Sequence, residues 1–143
     1  MSDMQQNACG VANRDVNRND PQHLPPVLAG QPVVLIAEDD AIVCNLVRIA
    51  LEATGMFVLT ASDGRQALAL SRKFPGTIHA LVSDIVMPNL DGLGVCEQIL
   101  RERPAIKVLL MSGSDGPVDG IPFLQEPFRL EELKQKVRQQ LAG

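Results

Sequence analysis

Acidic side chains and one hydroxyl come directly after short apolar runs of this sequence. An acidic triplet at 38–40 follows the first run, and Asp84, Ser112 and Glu126 each follow a later one. A single residue of this kind is most often a turn former or a helix cap. Their recurrence after several runs is much less expected by chance, and it predicts a shared site.

Clustered carboxylates favour one kind of chemistry. They repel one another and raise each other's pKa unless a cation lies among them. Carboxylate and backbone oxygens, together with water, are the ligands that Mg²⁺ prefers. A carboxylate beside bound Mg²⁺ can attack phosphorus as a nucleophile, and the cation then neutralises charge on the phosphoryl oxygens.

The elements that must position these residues follow from the apolar pattern. Short apolar runs alternate with amphipathic segments, which predicts an α/β domain with a parallel sheet and helices on both of its faces. In such sheets ligands bind at the carboxyl ends of the strands. The pattern predicts strands at 33–37, 57–61, 79–83, 106–111 and 121–124, and helices at 41–54, 63–74, 91–101 and 129–141.

The first predicted helix has an apolar stripe at helical spacing. Ile42, Leu46, Ile49 and Ala50 share one face, and we expect this face to pack against the sheet. An aspartate of the preceding triplet is expected to cap the helix.

Composition restricts the function classes. The chain has 143 residues, 45% apolar and 21% charged, with a net charge of -4, which is typical of one globular domain without a nucleic-acid-binding face. Trp and Tyr are absent, which disfavours base stacking. No apolar run approaches the ~20 residues of a membrane helix. We therefore expect neither nucleic acid nor a membrane as a partner.

Cysteine usage and the N-terminal segment complete the domain prediction. The three cysteines match no CxxC pattern, so we expect free thiols and a cytoplasmic protein, with Cys44 and Cys96 as small core residues. Residues 1–30 are rich in Asn, Gln, Asp and Pro, and they are predicted to form a flexible tail. Residues 31–143 are predicted to form the domain.

Four motifs resemble the receiver domain of two-component response regulators. They read VLIAEDD at 34–40, SDIVMPNLDG at 83–92, VLLMSG at 108–113 and FLQEPF at 123–128. The resemblance covers roughly residues 33–141. It implies a flavodoxin-like, doubly wound, five-stranded parallel sheet in the order 2-1-3-4-5.

The resemblance also implies roles for the acidic residues. Asp84 would be the phosphoacceptor. Asp39 and Asp84 would bind Mg²⁺ directly, Glu38 would bind it through water, and Val86 would bind it through its backbone carbonyl.

Further residues of the site follow from the same resemblance. Ser112 would be the switch hydroxyl that turns towards the phosphate, next to Gly113. Phe123 would occupy the aromatic switch position on the fifth strand. Gly92 would shape the loop after the acceptor.

Glu126 departs from the family, which has a lysine at this position. Lysine pairs with the acceptor carboxylate and then with the phosphate, whereas glutamate replaces this attraction by a repulsion. One hypothesis is that Mg²⁺ binding survives while phosphorylation is impaired. The alternative is that Glu126 points away and other groups compensate.

The connection between the fourth and fifth strands is short. Only residues 112–120 separate them, and three of these are Gly, whereas a crossover that contains a helix needs about 10–12 residues or more. The fourth helix of the family fold is therefore predicted to be reduced or missing. The face formed by strands four and five would then be covered by a downstream protein target, a second copy or the N-terminal tail.

Three functions are compatible with these features. The leading interpretation is a signalling module, not an enzyme, that accepts a phosphoryl group on Asp84 from a histidine kinase or phosphotransfer protein. The second is a receiver-like docking module that works without phosphorylation. The third, a flavin or nucleotide binder, is disfavoured because the triplet at 38–40 would repel a phosphate where such proteins bind one.

Overall fold

The computed structural model describes residues 27–87, 90–113 and 120–142. It contains five strands and four helices within these ranges. In chain order they are β1 (Val33–Ala37), α1 (Ala41–Glu52), β2 (Phe57–Ala61), α2 (Gly64–Lys73), β3 (Ala80–Asp84), α3 (Gly92–Glu102), β4 (Lys107–Ser112), β5 (Phe123–Gln125) and α4 (Leu130–Ala142).

The five strands form one parallel sheet in the order β2-β1-β3-β4-β5, which confirms the predicted fold class. Three predicted strands are displaced by one or two residues, and α1 ends at Glu52, before the predicted 54. Strand bounds depend on hydrogen bonds between strands, which an apolar run does not reveal. The shift matters most at β3, because it makes Asp84 the last residue of the strand.

Both faces of the sheet are buried, as the continuous apolar runs predict. On one face, alternate strand residues such as Leu35 and Leu110 pack with residues of α2 and α3. On the other face, Ile36 and Met111 pack with residues of α1 and α4. Cys96 is buried in the first cluster, as expected, and Cys44 is only partly buried beside the second.

The predicted buried stripe of α1 is wrong in three of its four members. Ile42, Leu46 and Ile49 are 73%, 48% and 52% exposed, whereas the helix buries Val47, Ala50 and Leu51. The sequence AIVCNLVRIALE is apolar on most of its circumference, so two stripes satisfy the helical period. Contact with the sheet selects the stripe about one residue further along.

Two arginines connect α2 and the loop that follows it with the end of α3. The guanidinium of Arg103 donates to Ser71 Oγ and to the backbone oxygens of Ser71, Phe74 and Gly76 at 2.7–3.0 Å. Arg72 makes a bidentate ion pair with Glu102, donating from Nε to Oε1 and from a terminal nitrogen to Oε2. These contacts tie α2 and its following loop to the end of α3.

Two predictions fall largely outside the described residues. Of the predicted tail, the structure describes only residues 27–30, which are exposed. Between β4 and β5 it describes residues 113 and 120–122, which contain no helix, while residues 114–119 lie outside the description. None of the helices in the described ranges is long and apolar enough to cross a membrane.

Candidate functional site

Strand order brings the acidic residues together at the carboxyl edge. β1 and β3 are neighbours with Ala37 opposite Ser83, so the residues that follow β1 lie beside the end of β3. Carboxylate oxygens of Glu38, Asp39 and Asp84 all lie within 4.8 Å of one another. The three carboxylates that the sequence assigned to one site are therefore in one cluster, which we call the acidic cluster.

Glu38 is the buried member of the acidic cluster. It is only 3% exposed, its Oε2 accepts a hydrogen bond from the Asp40 backbone N–H at 3.1 Å, and its Oε1 is buried without a hydrogen-bond partner. Burial, with the negative charges of Asp84 and Glu126 in addition, raises the pKa of Glu38 to about 8. A buried carboxylate oxygen without a partner is expensive when the group is charged, and a cation beside it would lower this cost.

Asp84 lies beside it at the end of β3 and is half-buried. Its Oδ1 accepts a long hydrogen bond of 3.4 Å from the Val86 backbone N–H. Burial raises the pKa of Asp84, and the nearby charge of Asp39 raises it further. Asp39 is exposed, so solvent reaches the acidic cluster from this side. The side chain of Val86 is 57% exposed.

Asp40 caps α1 and is not a member of the acidic cluster. Its side chain accepts from the backbone N–H groups of Ile42 and Val43. The predicted capping by an aspartate of the triplet is confirmed, and Asp40 is the residue that provides it.

Ser112 and Phe123 lie on the neighbouring strands. Ser112 ends β4 and is buried, one residue beyond Met111, which is opposite Asp84. Phe123 begins β5 opposite Leu110 and packs partly buried against the core beside α2 and α3. Gly113 follows at the exposed end of β4. The sheet thus places Ser112 and Gly113 next to the acidic cluster, with Phe123 further from it.

Glu126 faces the site from the β5 side. Its backbone N–H donates to the Ser112 oxygen at 2.8 Å, and its Oε1 lies 3.5 Å from the position that a Cβ atom would take on Gly113. Burial raises the pKa of Glu126, and the charges of Asp84, Asp40 and Asp39 raise it further. Glu126 is not part of the compact three-residue cluster, but it is close enough for these charges to act on it.

The electrostatic balance of the site is negative. None of the main influences on the pKa of Glu38, Asp84 or Glu126 comes from a lysine or arginine of the described ranges. The donors are carboxylate oxygens only, which suits a hard divalent cation such as Mg²⁺. The residues present therefore fit the metal that the sequence predicts.

Gly92 explains the glycine of the motif after β3. A Cβ atom on Gly92 would lie 2.2 Å from the Asp84 backbone oxygen and 2.8 Å from Ile85 Cα. Backbone therefore packs on backbone at the start of α3, and only glycine fits there.

Two open clefts lie on the described surface near the start of α1, and neither could be recognised from the sequence. One, of about 560 Å³, has Glu38, Asp39 and the start of α1 on one side and Thr60 to Ser62 on the other. The second, of about 540 Å³, runs between α1 and the segment after β5. It is mostly apolar, and Glu126 and Gly113 are among the residues that line it. Its lining also includes Leu46, a residue for which helical spacing predicted burial.

Comparison with known proteins decides the family. The sequence model of the response regulator receiver domain family matches residues 34–138 of this chain. The chain belongs to the response regulator receiver family. Receiver domains are signalling modules of two-component systems, and this chain has the flavodoxin-like fold of that family.

Relatives of known name agree with this assignment. The chain is 31% identical over 118 residues to the probable transcriptional regulatory protein TcrX of Mycobacterium tuberculosis, covering 76% of this chain and 50% of TcrX. It is 34% identical over 123 residues to the sensor kinase CckA of Brucella abortus, covering 80% of this chain and 13% of CckA. The chain thus spans half or less of the length of these relatives.

Solved structures show the same architecture. The receiver domain of the hybrid histidine kinase CckA is similar with a TM-score of 0.64 and 33% identity, over 76% of this receiver chain and 98% of that one. A response regulator receiver protein of Sinorhizobium medicae has a TM-score of 0.74 at 24% identity, over 81% of this receiver chain and 98% of that one. The second likeness shows the fold alone.

Proposed function

We propose that this receiver domain accepts a phosphoryl group on Asp84 from a histidine kinase or a phosphotransfer protein, in a reaction that depends on Mg²⁺. The observation that supports this most is the acidic cluster of Glu38, Asp39 and Asp84 within 4.8 Å, at the positions that the receiver motifs give to acceptor and metal ligands. The outcome of phosphorylation would be a changed affinity for a protein target.

In this proposal one residue attacks the phosphoryl group and its neighbours hold the metal ion. A carboxylate oxygen of Asp84 attacks phosphorus, the bond from phosphorus to the donor nitrogen breaks, and the donor imidazole leaves with the electron pair. Asp39 and Asp84 would hold Mg²⁺ directly, with Glu38 acting through water and Val86 through its carbonyl oxygen. Bound Mg²⁺ would supply positive charge against the phosphoryl oxygens.

Ser112, Gly113 and Phe123 complete the proposed site. Ser112 follows Met111, the register partner of Asp84 on the adjacent strand, and we propose that its hydroxyl would donate to a phosphoryl oxygen. Phe123 would change position when Ser112 moves. Gly113, which has no side chain, would leave room beside Ser112 for the phosphoryl group.

Glu126 is proposed to slow the reaction. Its carboxylate stands at the family's lysine position and is close enough for the charge of Asp84 to raise its pKa, so the incoming phosphoryl group would meet an additional negative charge. We therefore expect slow phosphorylation of the native chain and faster phosphorylation of Glu126→Lys.

Phosphorylation by a small-molecule donor tests this proposal. The purified chain is incubated with acetyl phosphate and saturating Mg²⁺, and intact mass is followed over time for the native chain, Glu126→Lys and Asp84→Asn. We expect one added phosphoryl group in the first two, faster in Glu126→Lys, and none in Asp84→Asn. Rapid, stoichiometric phosphorylation of the native chain would show that Glu126 is harmless, and equal labelling of Asp84→Asn would overturn the assignment of the acceptor.

A second function is favoured by the apolar cleft that Glu126 helps to line. In this alternative the domain docks a partner protein without phosphorylation. A folded native chain and a folded Glu126→Lys variant that both remain unlabelled would support this second function over the first.

A further inference from the structure

The site contains a fourth carboxylate, that of Glu126, in addition to the three of the acidic cluster. Glu126 is partly buried and is held beside β4 by the hydrogen bond from its backbone N–H to Ser112. The charges of Asp84, Asp40 and Asp39 act on it, and it acts in turn on Glu38. A carboxylate at this position is repelled by its neighbours unless a cation lies among them.

The buried oxygen of Glu38 points independently to a ligand. Glu38 is 3% exposed and its Oε1 has no partner, although it belongs to the acidic cluster. A cation, or a water bound to a cation, would satisfy this oxygen and offset the repulsion at the same time.

We propose that Glu126 contributes to divalent-cation binding by accepting hydrogen bonds from cation-bound water, so that the cation takes the place of the missing lysine as the positive partner of this site. This inference rests on the proposed receiver function and deepens it. It assigns to Glu126 a role in holding the cation before any phosphate arrives.

Binding through water follows from the geometry. Glu126 lies outside the group whose oxygens are within 4.8 Å of one another, so it is too far to complete the same inner set of ligands. Mg²⁺ keeps several of its waters when protein carboxylates bind it. Outer-shell groups that hydrogen-bond metal ligands typically change metal affinity or activity by 10- to 100-fold when they are mutated.

The expected magnitude follows from Coulomb's law. For a separation of about 8 Å in a medium as polar as water, one unit charge changes the affinity for a divalent cation about sixfold at low salt. Removing the charge in Glu126→Gln should therefore weaken binding about sixfold, and reversing it in Glu126→Lys should weaken binding about 30-fold. A lower local dielectric makes both effects larger.

Calorimetric titration with MgCl₂ alone, without a phosphoryl donor and in a buffer of about 10 mM ionic strength, measures this contribution directly. We compare the native chain, Glu126→Gln and Glu126→Lys with a control, Glu132→Lys. The control makes the same change of net charge as Glu126→Lys, at an exposed position of α4. Asp39→Asn reports loss of an inner ligand. Far-ultraviolet circular dichroism of each variant establishes that it is folded.

The outcomes separate this inference from the proposed function. We expect weaker Mg²⁺ binding in the order native, Glu126→Gln, Glu126→Lys, with Glu132→Lys close to native. Equal affinities of the native chain and Glu126→Lys, together with loss of binding in Asp39→Asn, would overturn the role of Glu126 and leave the receiver function standing. Absence of Mg²⁺ binding in the folded native chain would overturn both. Glu126→Lys should also be phosphorylated faster at saturating Mg²⁺ while binding Mg²⁺ more weakly, and a merely structural role would not produce these opposite changes.

Discussion

Removal of metal should make the stability of this domain fall as the pH rises, and Glu38 is the main reason. Its pKa is raised from 4.5 to about 8 in the fold, because burial disfavours the charged carboxylate. A group with a raised folded-state pKa stabilises the fold fully below its unfolded pKa, and this contribution is lost as the pH rises through the folded value. In EDTA the free energy of unfolding should therefore decrease between pH 5.5 and 8.

The size of this decrease can be bounded. For Glu38 alone, one proton taken up on folding corresponds to about 1.4 kcal/mol per pH unit, which gives at most about 3 kcal/mol over this range. Relaxation and water entry reduce it, so we expect about 1–2 kcal/mol. The raised pKa values of Asp84 and Glu126 act in the same direction. Burial raises the pKa of Cys44 to about 11, above the range measured.

Urea unfolding followed by far-ultraviolet circular dichroism is the suitable assay, since the chain has no Trp or Tyr for fluorescence. Glu38→Gln is the matched variant, because it keeps the shape and removes the titration. In EDTA it should lose most of the decrease, and Mg²⁺ should reduce the decrease in the native chain, because a ligand of the folded state adds stability where the carboxylates are charged. A native chain whose stability stays level or rises from pH 5.5 to 8 in EDTA would refute the reasoning, as would an unchanged slope in Glu38→Gln.

Two further predictions concern packing. Gly92→Ala should destabilise the domain by about 3 kcal/mol or more, because its Cβ atom would lie 2.2 Å from the Asp84 backbone oxygen. Gly94→Ala, whose Cβ atom would meet side-chain atoms of Leu90 and Asp91 and no backbone atom among its nearest contacts, is the control in urea unfolding, and equal effects would contradict the close backbone contact at Gly92. Leu51→Ala should cost about 2–5 kcal/mol and Leu46→Ala about 1 kcal/mol or less, since the first side chain is fully buried and the second is 48% exposed; thermal unfolding that ranks them in reverse would contradict the observed orientation of α1.

The strands could be predicted from sequence because each is a continuous apolar run between polar residues. The acidic cluster could be predicted because parallel strands bring their carboxyl ends to one edge, so the positions of Asp39 and Asp84 follow once β1 and β3 are neighbours. The neighbour relation itself came from resemblance to a family. Apolar patterns do not determine strand order.

The orientation of α1 could not be predicted. Apolar residues cover most of its surface, so a rotation of about one residue position, roughly 100°, keeps an apolar stripe against the sheet. The same ambiguity concealed the cleft beside Glu126, because Leu46 was expected in the core and lines that cleft instead. The resemblance put Glu126 at the lysine position beside the acceptor, but it left open whether the side chain points towards the acidic cluster or away from it. The unpartnered Oε1 of Glu38 has no sequence signature, since it depends on how the loop after β1 folds.

The contact between Gly92 and Asp84 has a mechanical consequence. The first residue of α3 rests directly on the backbone of the residue proposed to accept phosphate, and the Gly92 N–H donates to the Ile85 oxygen at 2.8 Å. Because no side chain lies between them, we expect the end of β3 and the start of α3 to shift together. A displacement of the Asp84 backbone would then move the start of α3, along a route that does not use the short connection between β4 and β5.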